Sequence, residues 1–334
     1  MANITILGSG GFGLCLALTA YRNGHAVKVW SRFPDEIEAI RKDGEHKQKL
    51  PGVPIPNEIE LTSSIDCING SDLVIFGIPS RFVRDTVRLA APYITSSMIV
   101  VNSGKGLEES SLKTLSQVFR EELSDEMPLV ILTGPSHAEE VGIGVPTTIV
   151  AASDDEKAAT TVQEILSSQT LRIYISSDVI GCEVGGALKN IIALCAGVCD
   201  GLGFGDNTKA ALMTRGMNEI TKLGLAMGGK RETFSGLSGV GDLIVTCCSM
   251  HSRNRRAGIL IGEGMSPEEA VKTVGTVEGY YCCQAAWELA HKLGVSMPIT
   301  DQLHNILFEG GDVKNALSKL MMRPRKREWD SIDK

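Results

Sequence analysis

A glycine-rich turn close to the first residue constrains the fold of this chain more than any other feature. Residues 4–8 form a short apolar run that predicts a strand, and Gly8, Gly10 and Gly13 follow the GxGxxG spacing, which leads into a predicted helix at residues 12–23. Glycines at these positions allow a tight turn, a close approach of the backbone to a pyrophosphate, and close packing of the helix on the strand. The pattern therefore predicts a dinucleotide-binding α/β fold.

The rest of the first half repeats the alternation of β-branched runs with amphipathic stretches, which is typical of a parallel sheet covered by helices on both faces. Further strands are predicted at residues 26–31, 72–78, 98–102, 129–133, 147–151 and 171–175. After residue 175 the pattern indicates helices only. We therefore expect a Rossmann-like, mostly parallel domain at residues 1–180 and an all-helical substrate-binding domain at residues 181–334, which agrees with a prior of about 150 residues per domain.

One segment interrupts the alternation. Residues 41–56 contain two glycines and three prolines, which argues against regular structure. We expect this segment to be an excursion on the surface.

Composition restricts the class of partner. The formal net charge of −7 opposes nonspecific binding to nucleic acid or to anionic membranes, so a bound anion must be held by local basic residues. The nine cysteines show no CxxC motif and no ligand spacing for a metal. The apolar stretch at residues 191–199 is too short to span a bilayer, and the first residues lack the basic region of a secretory signal. We expect a cytoplasmic protein with free thiols and no integral membrane segment.

The end of the second predicted strand bears on the choice of cofactor. Arg32 stands where folds specific for NAD usually have an acidic residue that binds the ribose 2′-hydroxyl, and a basic group there accommodates the 2′-phosphate of NADP. Asp35 and Glu36 follow Pro34 and are interpreted as the first turn of the next helix. The sequence therefore favours NADPH, with NADH as the other cofactor to consider.

Polar segments at predicted strand ends and helix starts indicate where a substrate binds. Lys105 lies between two glycines after the fourth strand, where its ammonium can donate to a substrate oxygen. Lys189 precedes an apolar helix face, and a desolvated lysine can act as a general acid or base. Residues 252–256 combine three arginines with two short polar side chains at a helix start, which predicts an anion site.

These segments together resemble the bacterial type of NAD(P)-dependent glycerol-3-phosphate dehydrogenase over nearly the whole chain. The motifs that carry the resemblance are Lys105-Gly106-Leu107-Glu108, Gly134-Pro135-Ser136-His137-Ala138, Ala187-Leu188-Lys189-Asn190, Leu237-Ser238-Gly239-Val240-Gly241-Asp242-Leu243 and Ser252-Arg253-Asn254. The resemblance implies reversible hydride transfer between C2 of sn-glycerol 3-phosphate and a nicotinamide, normally toward reduction of dihydroxyacetone phosphate for phospholipid synthesis. It also implies a homodimer.

The resemblance implies a role for individual residues. Lys189 matches the proton donor and acceptor. The substrate contacts it implies are Lys105, Gly134, Ser136, Lys189, Asp242, Ser252, Arg253 and Asn254. The cofactor contacts it implies or supports are Gly8, Gly10, Gly11, Phe12, Gly13, Arg32, Lys105, Ala138, Arg253 and Glu278. The chain departs from the family at Gly11, where many members have serine, so a side-chain bond to the cofactor is lost there.

Two other hypotheses remain open from the sequence. A related β-hydroxyacid dehydrogenase would share the architecture and predicts a carboxylate-bearing substrate. A redox sensor that only binds a dinucleotide would leave Lys189 and the arginine cluster without a role.

Overall fold

The computed structural model describes residues 1–325, 327 and 328, and the chain divides into two compact units. The first unit comprises Met1–Glu108 and Lys113–Glu183, and the second comprises Glu109–Leu112 and Val184–Lys334. The chain passes from the first unit to the second within one helix, Val179–Gly201.

The first unit is built on one eight-stranded sheet in which the order of strands is β3-β2-β1-β4-β5-β6-β7-β8. The strands are β1 (Asn3–Leu7), β2 (Ala26–Trp30), β3 (Glu60–Thr62), β4 (Leu73–Phe76), β5 (Ile99–Asn102), β6 (Leu129–Thr133), β7 (Thr147–Ala152) and β8 (Leu171–Ser176). Neighbouring strands run parallel except β6 and β7, which are antiparallel. The strand order reverses beside β1, so the carboxyl ends of β1 and β4 flank the crevice where such sheets bind ligands.

Six helices belong wholly to this unit: α1 (Gly11–Arg22), α2 (Pro34–Asp43), α3 (Val83–Ala90), α4 (Leu115–Glu122), α5 (Ala138–Gly142) and α6 (Glu156–Leu166). Apolar side chains from β1, β2 and α1 form one buried cluster, in which Ile6, Val29 and Leu14 are fully buried. The burial of this strand, turn and helix fixes the glycine-rich turn on a rigid support.

The second unit is helical throughout the residues that the structure describes. It continues α7 (Val179–Gly201) with α8 (Asp206–Ala226), α9 (Arg231–Phe234), α10 (Asp242–Cys248), α11 (Arg253–Gly262), α12 (Pro267–Val274), α13 (Glu278–Leu293), α14 (Pro298–Phe308) and α15 (Val313–Met321). A π-helical segment, Leu237–Gly241, leads directly into α10.

The predicted fold class is confirmed: a mostly parallel Rossmann-like sheet is followed by helices. The sequence pattern missed β3 because this edge strand has only three residues, none of them fully buried. The expectation for residues 41–56 was wrong in part. Residues 41–43 finish α2, and Leu50, Val53 and Ile55 are buried in the core of the unit, so the segment is anchored by apolar side chains.

Helix α7 extends well beyond the apolar stretch at residues 191–199 that was judged too short to span a bilayer. The apolar stretch at residues 191–199 belongs to a helix of 23 residues, which is long and apolar enough to cross a bilayer by length and composition. Of its most apolar window, 89% is buried inside the protein, as in a core helix.

Candidate functional site

The three motif glycines of the first turn serve different purposes. Gly8 has φ +118°, and a Cβ there would lie 2.6 Å from the carbonyl oxygen of Gly77. A Cβ on Gly13 would lie 2.6 Å from the carbonyl oxygen of Gly8. The fold itself therefore requires these two glycines. Gly10 has φ −64°, and its Cβ would meet only the Gly77 carbonyl at an ordinary 3.5 Å, so the packing of the protein does not require glycine there.

The open side at Gly10 adjoins the first turn of α1. Gly10 caps this helix without a side-chain hydrogen bond, and the first turn holds no acidic residue. A helix N-terminus of this kind attracts phosphate through its N–H groups and its dipole. The residues present therefore fit a dinucleotide pyrophosphate.

Gly11 and Ala138, two predicted cofactor contacts, lie side by side. A Cβ on Gly11 would come within 3.0 Å of the Ala138 Cβ and within 2.6 Å of the carbonyl oxygen of Lys49. The departure from the family at Gly11 thus has a structural reason. The backbone at Lys49 occupies the position that a serine side chain would need.

Arg32, predicted to bind a 2′-phosphate, is exposed just beyond β2. Glu36 is a further polar residue near the end of β2. From the sequence it was interpreted as an ordinary carboxylate in the first turn of a helix. Glu36 does lie in the first turn of α2, but it accepts hydrogen bonds from the hydroxyls of Ser9 and Ser31. Burial would raise the pKa of Glu36, but these bonds and those with His46 and Lys49 outweigh it and hold the pKa well below its usual range.

Lys105, Gly134 and Ser136 come together at the carboxyl ends of β5 and β6. The Lys105 Nζ donates to the Gly134 carbonyl over 2.8 Å, and the Ser136 hydroxyl donates to the same oxygen over 3.0 Å. The hydroxyl of Thr133, directly before them, is buried and has no hydrogen-bond partner within the part of the chain that the structure describes. The Lys105 ammonium has three protons, so it can donate to a bound oxyanion as well as to the Gly134 carbonyl.

Lys189 lies on α7 with only 7% of its side chain exposed. Its ammonium donates to the carboxylate of Asp242 and, over 2.8 Å, to the hydroxyl of Thr246. Asp242 begins α10, and Thr246 follows one turn later on the same helix face. Thr246 was not predicted from the sequence, although its i, i+4 spacing from Asp242 would have indicated it.

A tight helix contact sets this geometry. A Cβ on Gly185 of α7 would lie 2.6 Å from the carbonyl oxygen of Ser238, so only glycine lets the π-helical segment approach α7 this closely. The segment leads into α10, and Asp242 thereby comes within reach of Lys189.

The amide side chains of Asn190 and Asn254 form a second buried group. Asn254 donates to the Asn190 side-chain oxygen over 2.9 Å, and its own oxygen accepts from the Gly279 N–H over 2.8 Å. Gly279 follows Glu278, the predicted cofactor contact that opens α13. One asparagine therefore connects α7, α11 and α13.

The predicted cluster of three arginines is reduced to two. Ser252 caps α11 by accepting from the Arg255 N–H over 3.2 Å, while the Arg255 side chain donates to Asp200 over 2.7 Å and to the carbonyl of Cys248 over 2.6 Å. Arg255 is therefore neutralised and serves the packing of the helix. Arg253 and Arg256 are exposed at the same helix start.

A strand order that reverses beside a glycine-rich helix start is typical of dinucleotide-binding folds, and a buried lysine paired with a carboxylate can serve as a general acid or base. Comparisons with known proteins specify the kind. Residues 3–159 match the family description "NAD-dependent glycerol-3-phosphate dehydrogenase N-terminus", and residues 178–318 match the corresponding C-terminus. The chain belongs to the NAD-dependent glycerol-3-phosphate dehydrogenase family.

Individual relatives match nearly the whole chain. The glycerol-3-phosphate dehydrogenase [NAD(P)+] of Moorella thermoacetica is 50% identical over 333 residues, covering 99% of each chain. The protein of the same name from Clostridium tetani is 49% identical over 327 residues, which is 97% of this chain and 93% of that one. A crystal structure of glycerol-3-phosphate dehydrogenase from Coxiella burnetii superposes with a TM-score of 0.93 at 35% identity, covering 96% of this chain and 99% of that chain. Family membership disfavours both a β-hydroxyacid dehydrogenase and a sensor without turnover.

Proposed function

We propose that this chain reduces dihydroxyacetone phosphate to sn-glycerol 3-phosphate, reversibly, with NADPH as the favoured cofactor and NADH as a second one. The observation that carries the proposal is the buried Lys189 ammonium held by Asp242 and Thr246 in a chain of this family. A ketone reduction needs a hydride at carbon and a proton at oxygen, and the reduced nicotinamide supplies the hydride when it is bound.

Lys189 supplies the proton. In the reductive direction its ammonium donates a hydrogen bond to the C2 carbonyl oxygen, which stabilises the negative charge that develops there, and then transfers a proton to that oxygen. Asp242 and Thr246 hold the ammonium in place and stabilise its charged form. In the oxidative direction the neutral amine takes the proton from the C2 hydroxyl.

In this proposal, polar residues at the start of α11 and at the ends of β5 and β6 bind the phosphorylated substrate. Arg253 provides a guanidinium fork for phosphate oxygens, and Ser252 and Asn254 fix the helix start that carries it. Lys105, Gly134 and Ser136 are the corresponding substrate contacts that we propose in the first unit.

The glycine-rich turn holds the dinucleotide. Gly10 gives the pyrophosphate access to the α1 N-terminus, and Arg32 stands at the end of β2, where it can pair with a 2′-phosphate. Phe12, Ala138 and Glu278 are further cofactor contacts in this proposal.

A role in supplying glycerophospholipid synthesis follows from this reaction, because sn-glycerol 3-phosphate is the backbone of those lipids. The acidic net charge and the free cysteines support a cytoplasmic location, and the family resemblance supports a homodimer.

The reaction is tested by following oxidation of NADPH, and separately of NADH, by the purified protein with dihydroxyacetone phosphate. Lys189→Met should abolish turnover and leave cofactor affinity intact. Lys209→Met is the matched control, because Lys209 is also a partly buried lysine in the second unit that pairs with an aspartate, Asp200, over 2.6 Å. Near-normal turnover by Lys189→Met, or equal loss in both variants, would refute the assignment.

The cofactor position is tested by Gly10→Ala. The protein has room for this methyl group, but the methyl group would project into the space proposed for the pyrophosphate. Binding of both NADPH and NADH should fall by at least tenfold, with the thermal midpoint unchanged. Gly205→Ala is the control, because Gly205 is also an extended glycine at a helix start, with nothing within 4 Å of its Cβ. Normal dinucleotide binding by Gly10→Ala would place the cofactor elsewhere.

A further inference from the structure

The C-terminal part of the second unit carries a charge opposite to that of the whole chain. Residues 313–327 contain six basic residues and no acidic one, whereas the formal net charge of the chain is −7. The basic residues are Lys314, Lys319, Arg323, Arg325, Lys326 and Arg327. None of them has a part in the proposed reaction.

Helix α15 presents one face to the protein and the other to water. It packs against α14, and its half-buried apolar residues follow the i, i+3, i+4, i+7 spacing of one helix face: Val313, Ala316, Leu317 and Leu320. Lys314 and Lys319 are exposed. The helix is therefore amphipathic, with a basic outer face.

Met321 and Met322, at the end of α15, do not belong to the inner face. They are 76% and 82% exposed, and Arg323 and Arg325 directly beyond them are exposed as well. Two adjacent apolar side chains beside exposed cations form a surface with two kinds of partner. The methionines can enter an apolar medium while the guanidinium groups remain in contact with water.

The end of α13 contributes to the same surface. Burial raises the pKa of Asp301 on α14, and the charges of His291, His304 and Arg323 act against this. Asp301 is therefore within electrostatic range of the ends of both α13 and α15. Beside His291 on α13, Lys292 and Leu293 are exposed. We call residues 292, 293, 321–323, 325 and 327 the C-terminal basic surface.

The acidic net charge of the chain does not prevent a local attraction to anions. The Debye length is about 8 Å at physiological ionic strength, so exposed acidic side chains farther away are largely screened. A cluster of lysines and arginines next to an amphipathic helix is typical of surfaces that bind anionic lipid headgroups. Nucleic acid would satisfy the cations too, but its phosphates offer nothing to the two methionines. The combination favours a lipid surface.

We propose that the C-terminal basic surface docks reversibly on an anionic lipid bilayer, with its cations among the headgroups and with Met321 and Met322 entering the edge of the hydrocarbon region. Such docking holds a protein at a membrane without a spanning segment. It does not depend on the proposed reaction, so its test needs no turnover.

The test is sedimentation of the purified full chain with vesicles, made either of phosphatidylcholine alone or of phosphatidylcholine and phosphatidylglycerol in equal parts. The chain should bind the anionic vesicles at low ionic strength and leave them at high salt, because the attraction of its cations is screened. It should not bind the neutral vesicles. Equal binding to both kinds of vesicle, or binding to neither, would overturn the inference.

The cations are tested by Arg325→Gln combined with Arg327→Gln. Each cation near an anionic surface contributes about fivefold to binding, so the partition constant should fall about tenfold to thirtyfold. Lys42→Gln combined with Lys157→Gln is the matched control, because these lysines are exposed on α2 and α6 and the net charge changes equally. The control should bind like the wild type. An equal loss in the control would mean that only the net charge matters, and would overturn the inference.

The methionines distinguish a bilayer from other partners. Met321→Gln combined with Met322→Gln keeps every charge, so binding to anionic vesicles should fall about fivefold or more while binding to a DNA duplex stays the same. Thermal midpoints should not change, because both side chains are exposed. Unchanged vesicle binding in this variant would overturn the inference: the surface would then be a site for polyanions in general or, if the variant lost self-association, a contact with a second copy.

Discussion

Lys189 and Asp242, 53 residues apart in the sequence, form an ion pair that is almost completely shielded from water, with 7% and 1% of their side chains exposed. A buried ion pair is a poor means of stabilising a fold, because desolvation of the two charges offsets most of their attraction. Its value here is geometric. The pair holds a proton-carrying ammonium at one position, and Thr246 adds a third contact that restricts its direction.

Thr246→Val should separate the positioning of Lys189 from its charge. The substitution keeps the shape and removes the oxygen that accepts from the ammonium over 2.8 Å. One hydrogen bond to a charged group is worth roughly 1.5 to 3 kcal/mol, so kcat should fall about tenfold to a hundredfold. Steady-state kinetics with saturating cofactor measures this, and the Kd of the cofactor should not change.

The control for this variant is Thr214→Val. Thr246 donates to the Asp242 carbonyl over 2.6 Å, and Thr214 likewise donates to the carbonyl four residues before it, over 2.9 Å, but at an exposed position of α8. Its kcat should match the wild type, and a normal kcat in Thr246→Val would show that Lys189 is held by Asp242 alone.

The loop that carries Lys105 depends on a guanidinium clamp. Arg84 on α3 donates to both oxygens of Glu108 over 2.7 and 2.6 Å, and it also pairs with Glu121 and Glu122 on α4. Hydrogen bonds to these carboxylates raise the pKa of Arg84, so the guanidinium remains charged. Glu108 follows Lys105 by three residues, and the clamp therefore fixes the end of that loop.

Arg84→Lys keeps the charge and removes the fork, so it should lower the free energy of unfolding by about 1 to 2 kcal/mol. The KM for dihydroxyacetone phosphate should rise several-fold as Lys105 loses its fixed position. Arg88→Lys provides the comparison, because Arg88 is 59% exposed and, among the residues that the structure describes, forms an ion pair only with Glu122. Denaturant titrations and steady-state kinetics of both variants measure the free energy of unfolding and the KM. Equal changes in the two variants would mean that the fork from Arg84 to Glu108 is dispensable.

Local sequence signals were sufficient for much of the fold and for part of the site. The strand predicted at residues 129–133 begins and ends where β6 does, because an apolar run there directly follows Pro128. The short helices α9 and α10 gave no such signal. Tertiary contacts hold them instead: Phe234 of α9 packs against Gly224 of α8, and α10 continues the π-helical segment whose Ser238 approaches Gly185.

Side chains that are distant in sequence account for what the motifs missed. The interpretation of Glu36 as a helix-start residue was correct for its backbone but did not anticipate its bonds to Ser9 and Ser31. The pairing of Arg255 with Asp200 likewise spans 55 residues and removes one arginine from the expected anion site. No local pattern records such contacts, because they depend on how elements pack.

The crossing of α7 and α11 has no room for a single methyl group. A Cβ on Gly197 would lie 2.0 Å from the carbonyl oxygen of Arg255, and a Cβ on Gly258 would lie 2.1 Å from that of Leu194. This crossing keeps Asn190 within 2.9 Å of Asn254. Gly258→Ala should therefore lower the free energy of unfolding by about 1 to 3 kcal/mol or more, and should raise the substrate KM. Gly205→Ala is the control: its methyl group meets open space, so neither the free energy of unfolding nor the substrate KM should change. An unaffected Gly258→Ala protein would show that α7 and α11 can separate without a loss of stability.

Stability should depend on pH through Glu219, which α8 places against the start of α14. Its carboxylate accepts from the Ile299 N–H over 2.7 Å and from the Thr300 N–H and hydroxyl over 3.2 and 3.1 Å. Burial nevertheless prevails over these bonds and raises the pKa of Glu219 from 4.5 to about 7.

The sign of the effect follows from proton binding. Between pH 4.5 and 7 the folded chain holds a proton at Glu219 that the unfolded chain has lost, so the free energy of unfolding falls as pH rises through this window. Between pH 5 and pH 8 this residue should remove about 2 to 3 kcal/mol. Glu219→Gln should lose that part of the dependence, whereas Glu164→Gln, at an exposed position on α6, should retain it. Urea titrations of the three proteins at both pH values measure the difference, and parallel curves for wild type and Glu219→Gln would mean that the buried carboxylate is ionised throughout.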